Sequence, residues 1–373
     1  MKNISLAILV PLFLVPIIFS SCSKSVVVDY SSSWSDISVK DDNIKLLALG
    51  KKTPGILYAF SKRNMYVSKD AGVSWGKKEG LAFKPEHILK AETDISGALY
   101  LLLEVNDNLE GCLVKTLDEG VTLVTVADPK TLPLPEKKGG RGGITRFSVH
   151  SKQPGNIIIA GFQQASVLAT KNGGKDWQLL PSGMEGRKNF SFAEFDRENT
   201  SILYFEEGEG PMTEGFDRSC VYRSQDGGNT WKLLFEKNKG EGRVSSMAAV
   251  PGSVSALFGF KLIGVDFPEL IKTTQLTGEK GEIVSLPVKS FSGRIMDLSA
   301  GKDGSYFAHF VDQKSRVMRS MDGGVKWEDL QAPLKAGSEC VLQLVLDPDN
   351  PEALYVLAQD YATNATKILV FRK

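Results

Sequence analysis

Acidic residues recur in this sequence within one short pattern, and they are the first candidates for chemistry. The pattern is Ser/Thr-x-Asp/Asn-x-Gly, which we call the box, and its central residues are Asp70, Asp118, Asn172, Asp226 and Asp322. Carboxylates in series could act as general acids or as calcium ligands. Asp and Asn also bond the backbone amides that follow them, which accounts for the whole pattern as a tight turn. We favour this structural interpretation.

The box repeats at nearly regular intervals. Its central residues are 48, 54, 54 and 96 residues apart, and the last interval is two periods wide. Thr274-x-Leu276-x-Gly278 lies where a degenerate copy would be expected. A unit repeated about every 50 residues indicates a propeller or another repeat array.

Arginines form the second set of candidates. They stand before the expected innermost strands of successive repeats, and the set is Arg141, Arg146, Arg187, Arg243 and Arg294. Arg146 and Arg243 each precede a turn Pro by eight residues, so we expect them at matching places. A guanidinium presents a planar fork of donors that suits carboxylates and phosphates. The pattern predicts an arc of positive charge that binds an anion at a channel mouth. The alternative is that each Arg pairs with Glu185, Glu241 or Asp297 nearby.

The elements that would position these residues are four-stranded repeats. Short apolar runs separated by Gly, Pro, Asn and Asp are typical of strands joined by tight turns. We predict an all-β fold, a single seven-bladed β-propeller with four antiparallel strands per blade over residues 34–373. The D-like strand Trp34–Val39 should complete the last blade and close the ring. A six-bladed ring with an unpaired end is the alternative. The segment Glu206–Glu214 is expected to be a long loop beside the arginine arc.

The boxes resemble those of the Asp-box, or BNR, repeat family of β-propellers, which includes sialidases, sortilin-type receptors, xyloglucanases and photosystem II assembly factors. The resemblance implies that the box is structural, with Trp75, Trp177, Trp231 and Trp327 each beginning an outer strand and Leu123 in the second copy. The layout is most similar to the assembly-factor and sortilin-type propellers, which implies docking of a protein partner without catalysis. A sialidase-like glycoside hydrolase, or a propeller that binds an acidic glycan, is the alternative. The sialidase Phe/Tyr-Arg-Ile-Pro motif is absent, and Gly293-Arg294-Ile295-Met296 is the nearest string.

The N-terminus reads as a targeting segment. Residues 1–21 form a signal-like apolar run, and Phe19-Ser20-Ser21-Cys22 resembles a bacterial lipobox with Cys22 as the lipidated residue. Residues 22–33 would be a tether. Ordinary signal-peptide cleavage is the alternative. We expect a lipid-anchored protein of the bacterial cell envelope, at the outer membrane rather than the inner one.

Composition limits the other function classes. The chain has 45 Lys and Arg against 44 Asp and Glu, and without Lys2 the two counts are equal. This balance argues against a dedicated nucleic-acid binder. The cysteines Cys112, Cys220 and Cys340 are expected to be free thiols on separate blades. His87, His150 and His309 are dispersed, so we expect neither a metal site nor a cofactor.

Overall fold

A computed structural model describes residues 34–40, 42–104, 111–133, 143–161, 166–180, 188–196, 198–209, 218–238, 243–250, 256–261, 269–275, 282–287, 294–347 and 349–372. All of them belong to one compact unit, Ser31–Lys373. Cys22, Arg141, Arg187, the signal-like run and the tether lie outside the described residues. Within the described ranges, no helix has the length and apolar character needed to cross a membrane.

The described strands form seven four-stranded antiparallel sheets. The first strand, β1 (Trp34–Asp36), belongs to the last sheet. Sheet 1 contains β2 (Ile44–Leu49), β3 (Leu57–Ser61), β4 (Met65–Ser68) and β5 (Gly76–Lys78). Sheet 2 follows a 3-10 turn at Pro85–His87 and contains β6 (Ile88–Thr93), β7 (Leu99–Glu104), β8 (Gly111–Thr116) and β9 (Val124–Ala127). Sheet 3 contains β10 (Ile144–Val149), β11 (Ile157–Gly161), β12 (Ser166–Thr170) and β13 (Gln178–Leu180).

The later sheets continue the same order along the chain. Sheet 4 contains β14 (Lys188–Phe195), β15 (Leu203–Glu209), β16 (Arg218–Ser224) and β17 (Lys232–Asn238). Sheet 5 contains β18 (Arg243–Ala249), β19 (Ala256–Lys261), β20 (Glu269–Gln275) and β21 (Glu282–Pro287). Sheet 6 contains β22 (Arg294–Ala300), β23 (Tyr306–Val311), β24 (Ser315–Ser320) and β25 (Glu328–Asp329). Sheet 7 contains β26 (Glu339–Leu346), β27 (Ala353–Asp360), β28 (Thr366–Arg372) and β1.

The hydrophobic core is divided into clusters that lie between neighbouring sheets. One cluster joins Tyr100 and Leu113 of sheet 2 to Phe147 and Ile159 of sheet 3. Similar clusters join sheets 1 and 2, 3 and 4, 4 and 5, 5 and 6, 6 and 7, and 7 and 1. Each sheet therefore buries apolar side chains on both of its faces, which is why the middle strands read as nearly continuous apolar runs.

Seven strands, which we call the inner strands, surround a common cavity: β2, β6, β10, β14, β18, β22 and β26. Each carries a β-bulge close to its start. In six of them the residue before the bulge is a buried Ile or Val, namely Ile44, Ile88, Ile144, Val244, Ile295 and Val341. A bulge bends and twists its strand locally, so each inner strand bends at the same height in the ring.

The boxes form tight turns held by side-chain to backbone bonds. In the first copy the amide of Gly72 donates to Ser68 Oγ at 2.8 Å, and the amide of Ser74 donates to Asp70 Oδ1 at 2.9 Å. The same two bonds recur in the other four copies. The box Gly has a φ between 90° and 95° in all five copies, in the left-handed region that favours glycine.

The box also packs against the preceding sheet. A Cβ added to Gly228 would meet Leu180 Cδ1 at 2.5 Å, and one added to Gly174 would overlap the carbonyl oxygen of Val126. The indole of Trp75 donates to the carbonyl of Ile37 at 2.8 Å, across the same junction. The box is therefore both a turn and an inter-sheet contact.

Two expectations about strand bounds need correction. The closing strand is Trp34–Asp36 and not Trp34–Val39, because the Ser38 amide donates to Asp36 Oδ1 and the Ser38 hydroxyl, in place of its backbone, accepts the amide of Ile368 in β28. Glu206 and Glu207 are not loop residues. They lie in β15 with buried side chains, and Ser219 Oγ donates to Glu206 Oε1 at 2.7 Å. A buried carboxyl group needs such a partner, and the sequence did not show it.

We predict that Gly174→Ala destabilises the protein by about 3 kcal/mol. The new side chain would be strained by the left-handed backbone conformation, and its Cβ would also overlap the backbone of the preceding sheet. Gly304→Ala is the matched control. Gly304 also has a positive φ, 82°, but an added Cβ there would have no atom within 4 Å. Gly304→Ala should lower the free energy of unfolding only by the backbone strain, about 1 kcal/mol. Urea unfolding of both variants measures the difference, and equal losses would show that the inter-sheet contact contributes nothing.

Candidate functional site: the central cavity and the start face

The inner strands enclose a cavity of about 390 Å³ at the centre of the ring. Its wall includes Lys90, Glu92, Glu194, Asp297 and Gln343, which are charged or polar residues on strands that otherwise bury apolar side chains. We call the side of the ring where the inner strands begin the start face. The opposite side, which carries the box turns, is the box face.

The residue after each bulge occupies an equivalent position in the ring. In five inner strands this residue is polar: Lys90, Arg146, Ser246, Asp297 and Gln343. Three of the five bond the backbone of the next inner strand. Lys90 Nζ donates to the carbonyl of Phe147 at 2.8 Å, and the amide of Leu344 donates to an Asp297 oxygen at 3.0 Å. The Gln343 side chain makes two bonds with the backbone of Leu47. The wall of the cavity is thus linked from strand to strand.

Lys90 joins three neighbouring sheets. Its Nζ lies 2.6 Å from Glu92 Oε1 on its own strand and 3.4 Å from Glu194 Oε1 on sheet 4. The second Glu92 oxygen accepts the amide of Val149 at 2.8 Å. Burial alone would lower the pKa of Lys90, but the carboxylates of Glu194 and Glu92 raise it above its ordinary value. Burial raises the pKa of Glu92. Lys90 therefore stays charged between two carboxylates.

Asp297 is the third carboxylate in the cavity wall. Its two oxygens accept the amides of Leu298 at 2.9 Å and Leu344 at 3.0 Å. Burial raises the pKa of Asp297 to about 6, against the opposing effect of those two amides. The alternative interpretation of the arginines, a pairing of Arg294 with Asp297, is not among the contacts of the described residues. Asp297 instead links β22 to β26 through its hydrogen bond with the amide of Leu344.

The structure separates the predicted arginines into two groups. Arg243 and Arg294 are the first residues of β18 and β22, and they pair with Lys261 and Val311 at the same register. They therefore have equivalent backbone positions on neighbouring sheets at the start face, and the Arg294 side chain is exposed. Arg146 lies three residues further along its strand, after the bulge, and its Nη1 donates to the carbonyl of Thr145 at 2.7 Å.

The predicted match between Arg146 and Arg243 was wrong. Ser246 is the residue equivalent to Arg146, because Ser246 and Arg146 both follow a bulge. An equal distance to the turn Pro does not mean an equivalent strand position here. The last strand pair is Val149 with Ile157 in sheet 3 and Ala249 with Ala256 in sheet 5, so the two Pro residues stand at different distances from the strand end.

Sequence reasoning missed an apolar feature of the start face. The bulge residue is a large exposed hydrophobic side chain in three inner strands, with exposed fractions of 41% for Leu89, 40% for Met296 and 43% for Leu342. Met296 and Leu342 lie on neighbouring sheets, and Arg294 precedes Met296 by two residues. An apolar residue exposed at the same position of three strands could not be found without knowing where the bulges fall.

The box acids lie on the other side of the ring. The box amides of Ala71, Gly173 and Gly227 donate to the carbonyls of Gly55, Gly155 and Ser201 in the turns that follow the inner strands. The boxes therefore share a face with those turns. Hydrogen bonds from Ser74 and Ser68 lower the pKa of Asp70 to about 2. Such an acid stays ionised and fully engaged in its turn, which suits a structural role.

The histidines and cysteines do not converge. His150 lies in the turn after β10, and His309 lies within β23. Cys112, Cys220 and Cys340 are free thiols on sheets 2, 4 and 7. Within the described ranges, no group of three or more His, Cys, Asp or Glu residues could hold a metal ion.

Comparison with solved structures places this architecture among the β-propellers. YCF48 from Cyanidioschyzon merolae is 14% identical, covers 91% of this chain and 99% of its own, and has a TM-score of 0.63. A structure of YCF48 bound to D1 peptide is 13% identical over 91% of this chain and 97% of its own, with a TM-score of 0.58. The GH74 xyloglucanase from Xanthomonas campestris is 15% identical with a TM-score of 0.58, over 89% of this chain. The present chain spans about half of that enzyme, 55% of its length.

These likenesses establish the fold. At such low identity they do not carry activity or ligands from one protein to another. No protein-family description and no curated protein sequence matches the chain.

We predict that the protein loses stability as the pH falls from 6.5 to 4, in part through His309. Burial lowers the pKa of this ring from 6.5 to about 4. A depressed histidine pKa means that this stability is fully present above pH 6.5 and is lost as the pH falls from the unfolded value of 6.5 to the folded value of about 4. The loss should reach about 3 kcal/mol at pH 4.

Urea unfolding of wild type and His309→Gln between pH 4 and pH 7 measures this contribution. The variant keeps a polar group near Ser315 Oγ, which lies 3.2 Å from His309 Nε2, but it cannot titrate. Its pH dependence should be shallower than that of wild type. His87→Gln, at a half-exposed site, is the control and should follow wild type. Identical slopes for His309→Gln and wild type would contradict the assignment.

Proposed function

We propose that the chain is a non-catalytic binding propeller that docks an acidic segment of a protein partner on its start face. The observation that carries this proposal is the equivalent placement of Arg243 and Arg294 at the beginning of neighbouring inner strands. Two arginines that begin neighbouring strands at one edge of a rigid ring favour carboxylates over any neutral ligand.

The apolar bulge residues support a polypeptide as the ligand. Met296 and Leu342 lie at the start face beside Arg294, and both side chains are exposed. A peptide that places an acidic residue at Arg294 and an apolar residue against Met296 would use both features. Apolar contact supplies affinity, while the charge pair fixes orientation.

The comparisons agree with this mode of action without demonstrating it. YCF48 has been solved with a bound D1 peptide, so a propeller of nearly the same length binds a polypeptide segment. The GH74 xyloglucanase shows that a similar ring also occurs within an enzyme. We favour binding because the described charged residues of the cavity wall are engaged in bonds between strands.

We further propose that Cys22 carries the lipid anchor, which would hold the ring at the bacterial envelope by its N-terminal tether. The support is the sequence Phe19-Ser20-Ser21-Cys22 at the end of an apolar run. Two or more acyl chains are sufficient for stable anchoring without any apolar surface on the ring.

The docking proposal predicts that Arg243→Ala/Arg294→Ala loses the partner. The full-length protein would be used to capture proteins from detergent-solubilised membranes of the native host, followed by mass spectrometry. Lys175→Ala/Lys302→Ala removes the same charge from exposed sites on the box face and is the matched control. We expect a partner with wild type and the control, and none with the arginine variant.

Two outcomes would overturn the docking proposal. One is capture of the same proteins by all three forms, which would make the arginines ordinary surface. The other is bound material that contains carbohydrate and no protein, which would favour the acidic-glycan alternative. Circular dichroism of the arginine variant excludes misfolding as the cause of a loss.

The anchoring proposal predicts that Cys22→Ala moves the protein from the membrane fraction to the soluble fraction. Metabolic labelling with an alkyne fatty acid should mark wild type and leave this variant unmarked. Cys112→Ala, which keeps the proposed acylation site, should behave as wild type. Membrane association without label would refute lipidation at Cys22.

A further inference from the structure

The charges in the cavity wall do not balance. The wall contains the ammonium groups of Lys51 and Lys90 and the carboxylates of Glu92, Glu194 and Asp297. Lys51 is engaged with Asp347, which lies outside the wall, at 3.2 Å. Among the described residues of the wall, Lys90 is thus the cation available to three carboxylates.

Lys90 has no donor left for a further anion. Its three hydrogens are accounted for by Glu92, Glu194 and the carbonyl of Phe147. Glu194 has no second cation among the described residues, and the oxygens of Asp297 take only backbone amides. Arg146 is not part of the wall, and its guanidinium turns back to Thr145.

The wall also offers hydrogen-bonding capacity that the protein does not use. The hydroxyls of Ser246 and Ser151 are buried, line the cavity and have no hydrogen-bond partner among the described residues. The side chain of Ser151 is more than nine-tenths buried. Buried polar atoms in native proteins are nearly always paired, so these hydroxyls are available to a solute that has polar groups of its own.

Three of these groups lie on consecutive inner strands. Glu194 belongs to β14, Ser246 to β18 and Asp297 to β22, and these strands contact one another in that order. Solvent reaches this part of the cavity, since the Glu194 side chain is 33% exposed. A small solute or a protruding side chain can therefore reach the carboxylates.

We propose that the central cavity binds an organic cation, an ammonium or guanidinium group, between Glu194 and Asp297 with Ser246 as an additional hydrogen-bond partner. The cation would supply the positive charge that Lys90 alone does not provide. Three or more donors on such a group match two carboxylates and one hydroxyl. This site is separate from the anion-binding start face and does not depend on it. The cation can come from a free amine or guanidine, or from a basic side chain of a partner.

Isothermal titration with two probes distinguishes these sources. The first probe is butylguanidine, with its neutral isostere butylurea as the control ligand. The second probe is the capped peptide Gly-Gly-Arg-Gly-Gly. We expect wild type to bind at least one cationic probe and not butylurea. Binding of butylguanidine indicates a free cation, and binding of the peptide alone indicates a side chain of a partner.

Variants locate the site. Glu194→Gln and Asp297→Asn should each weaken binding of the cation by about tenfold or more, because each removes a charged acceptor. Glu352→Gln makes the same charge change at an exposed position outside the cavity and should bind as wild type. Asp297 also accepts two amides, so Asp297→Asn could unfold the wall. The Glu194 carboxylate accepts no backbone amide in the described structure, so Glu194→Gln tests the site without breaking a bond between strand backbones.

The proposal is overturned if neither cationic probe binds, if butylurea binds equally well, or if Glu194→Gln binds the cation as tightly as Glu352→Gln does. The test is independent of the docking function. The variant Arg243→Ala/Arg294→Ala should lose the protein partner and still bind the cation, so failure of one proposal leaves the other standing.

Discussion

The pairing of β1 with β28 is the contact on which the ring depends. It joins Trp34 to Phe371, near the two ends of the described chain, and the aromatic rings of these residues lie 5.3 Å apart. The Trp34 indole also donates, at 2.7 Å, to the carbonyl of Leu330, which directly follows β25 of sheet 6. Closing so long a loop costs chain entropy, although the cost grows slowly with length. Several contacts at one short strand offset that cost and leave sheet 7 without an unpaired outer strand.

Once the ring is closed, the bulges decide what faces the centre. Because all seven inner strands bend near their start, the residues after the bulge come to one height around the cavity. Side chains at this height bond the neighbouring strand, as Lys90, Asp297 and Gln343 do. The same residues therefore hold the ring together and give the cavity its charge. A change at one of them should affect both.

The ring separates opposite charges along its axis. Arg243 and Arg294 stand at the start face, whereas Glu92, Glu194 and Asp297 lie inside the cavity. The exposed guanidinium of Arg294 needs no partner, because water solvates it. Buried carboxylates need a cation, a proton or backbone amides, and the raised pKa of Asp297 reflects that need. The two proposed sites would therefore bind ligands of opposite charge at different depths of one scaffold.

The sequence alone determined the features that depend on neighbours along the chain. A box turn is closed by bonds within five residues, such as Gly72 to Ser68 and Ser74 to Asp70, so its residue types are sufficient to predict it. Their recurrence predicted a repeated antiparallel unit, and the similar solved structures identify the fold as a propeller. The free cysteines and the dispersed histidines also followed from spacing.

The tertiary structure decided which of the charged residues meet. Arg146 and Arg243 are equally far from a Pro, yet one follows a bulge and the other begins a strand. Glu194 meets Lys90 although 104 residues separate them, and Glu206 is a strand residue because Ser219 gives its carboxyl a partner. A bulge shifts the register by one residue and reverses the face of every side chain beyond it. Its position depends on packing against neighbouring sheets, which residue spacing does not encode.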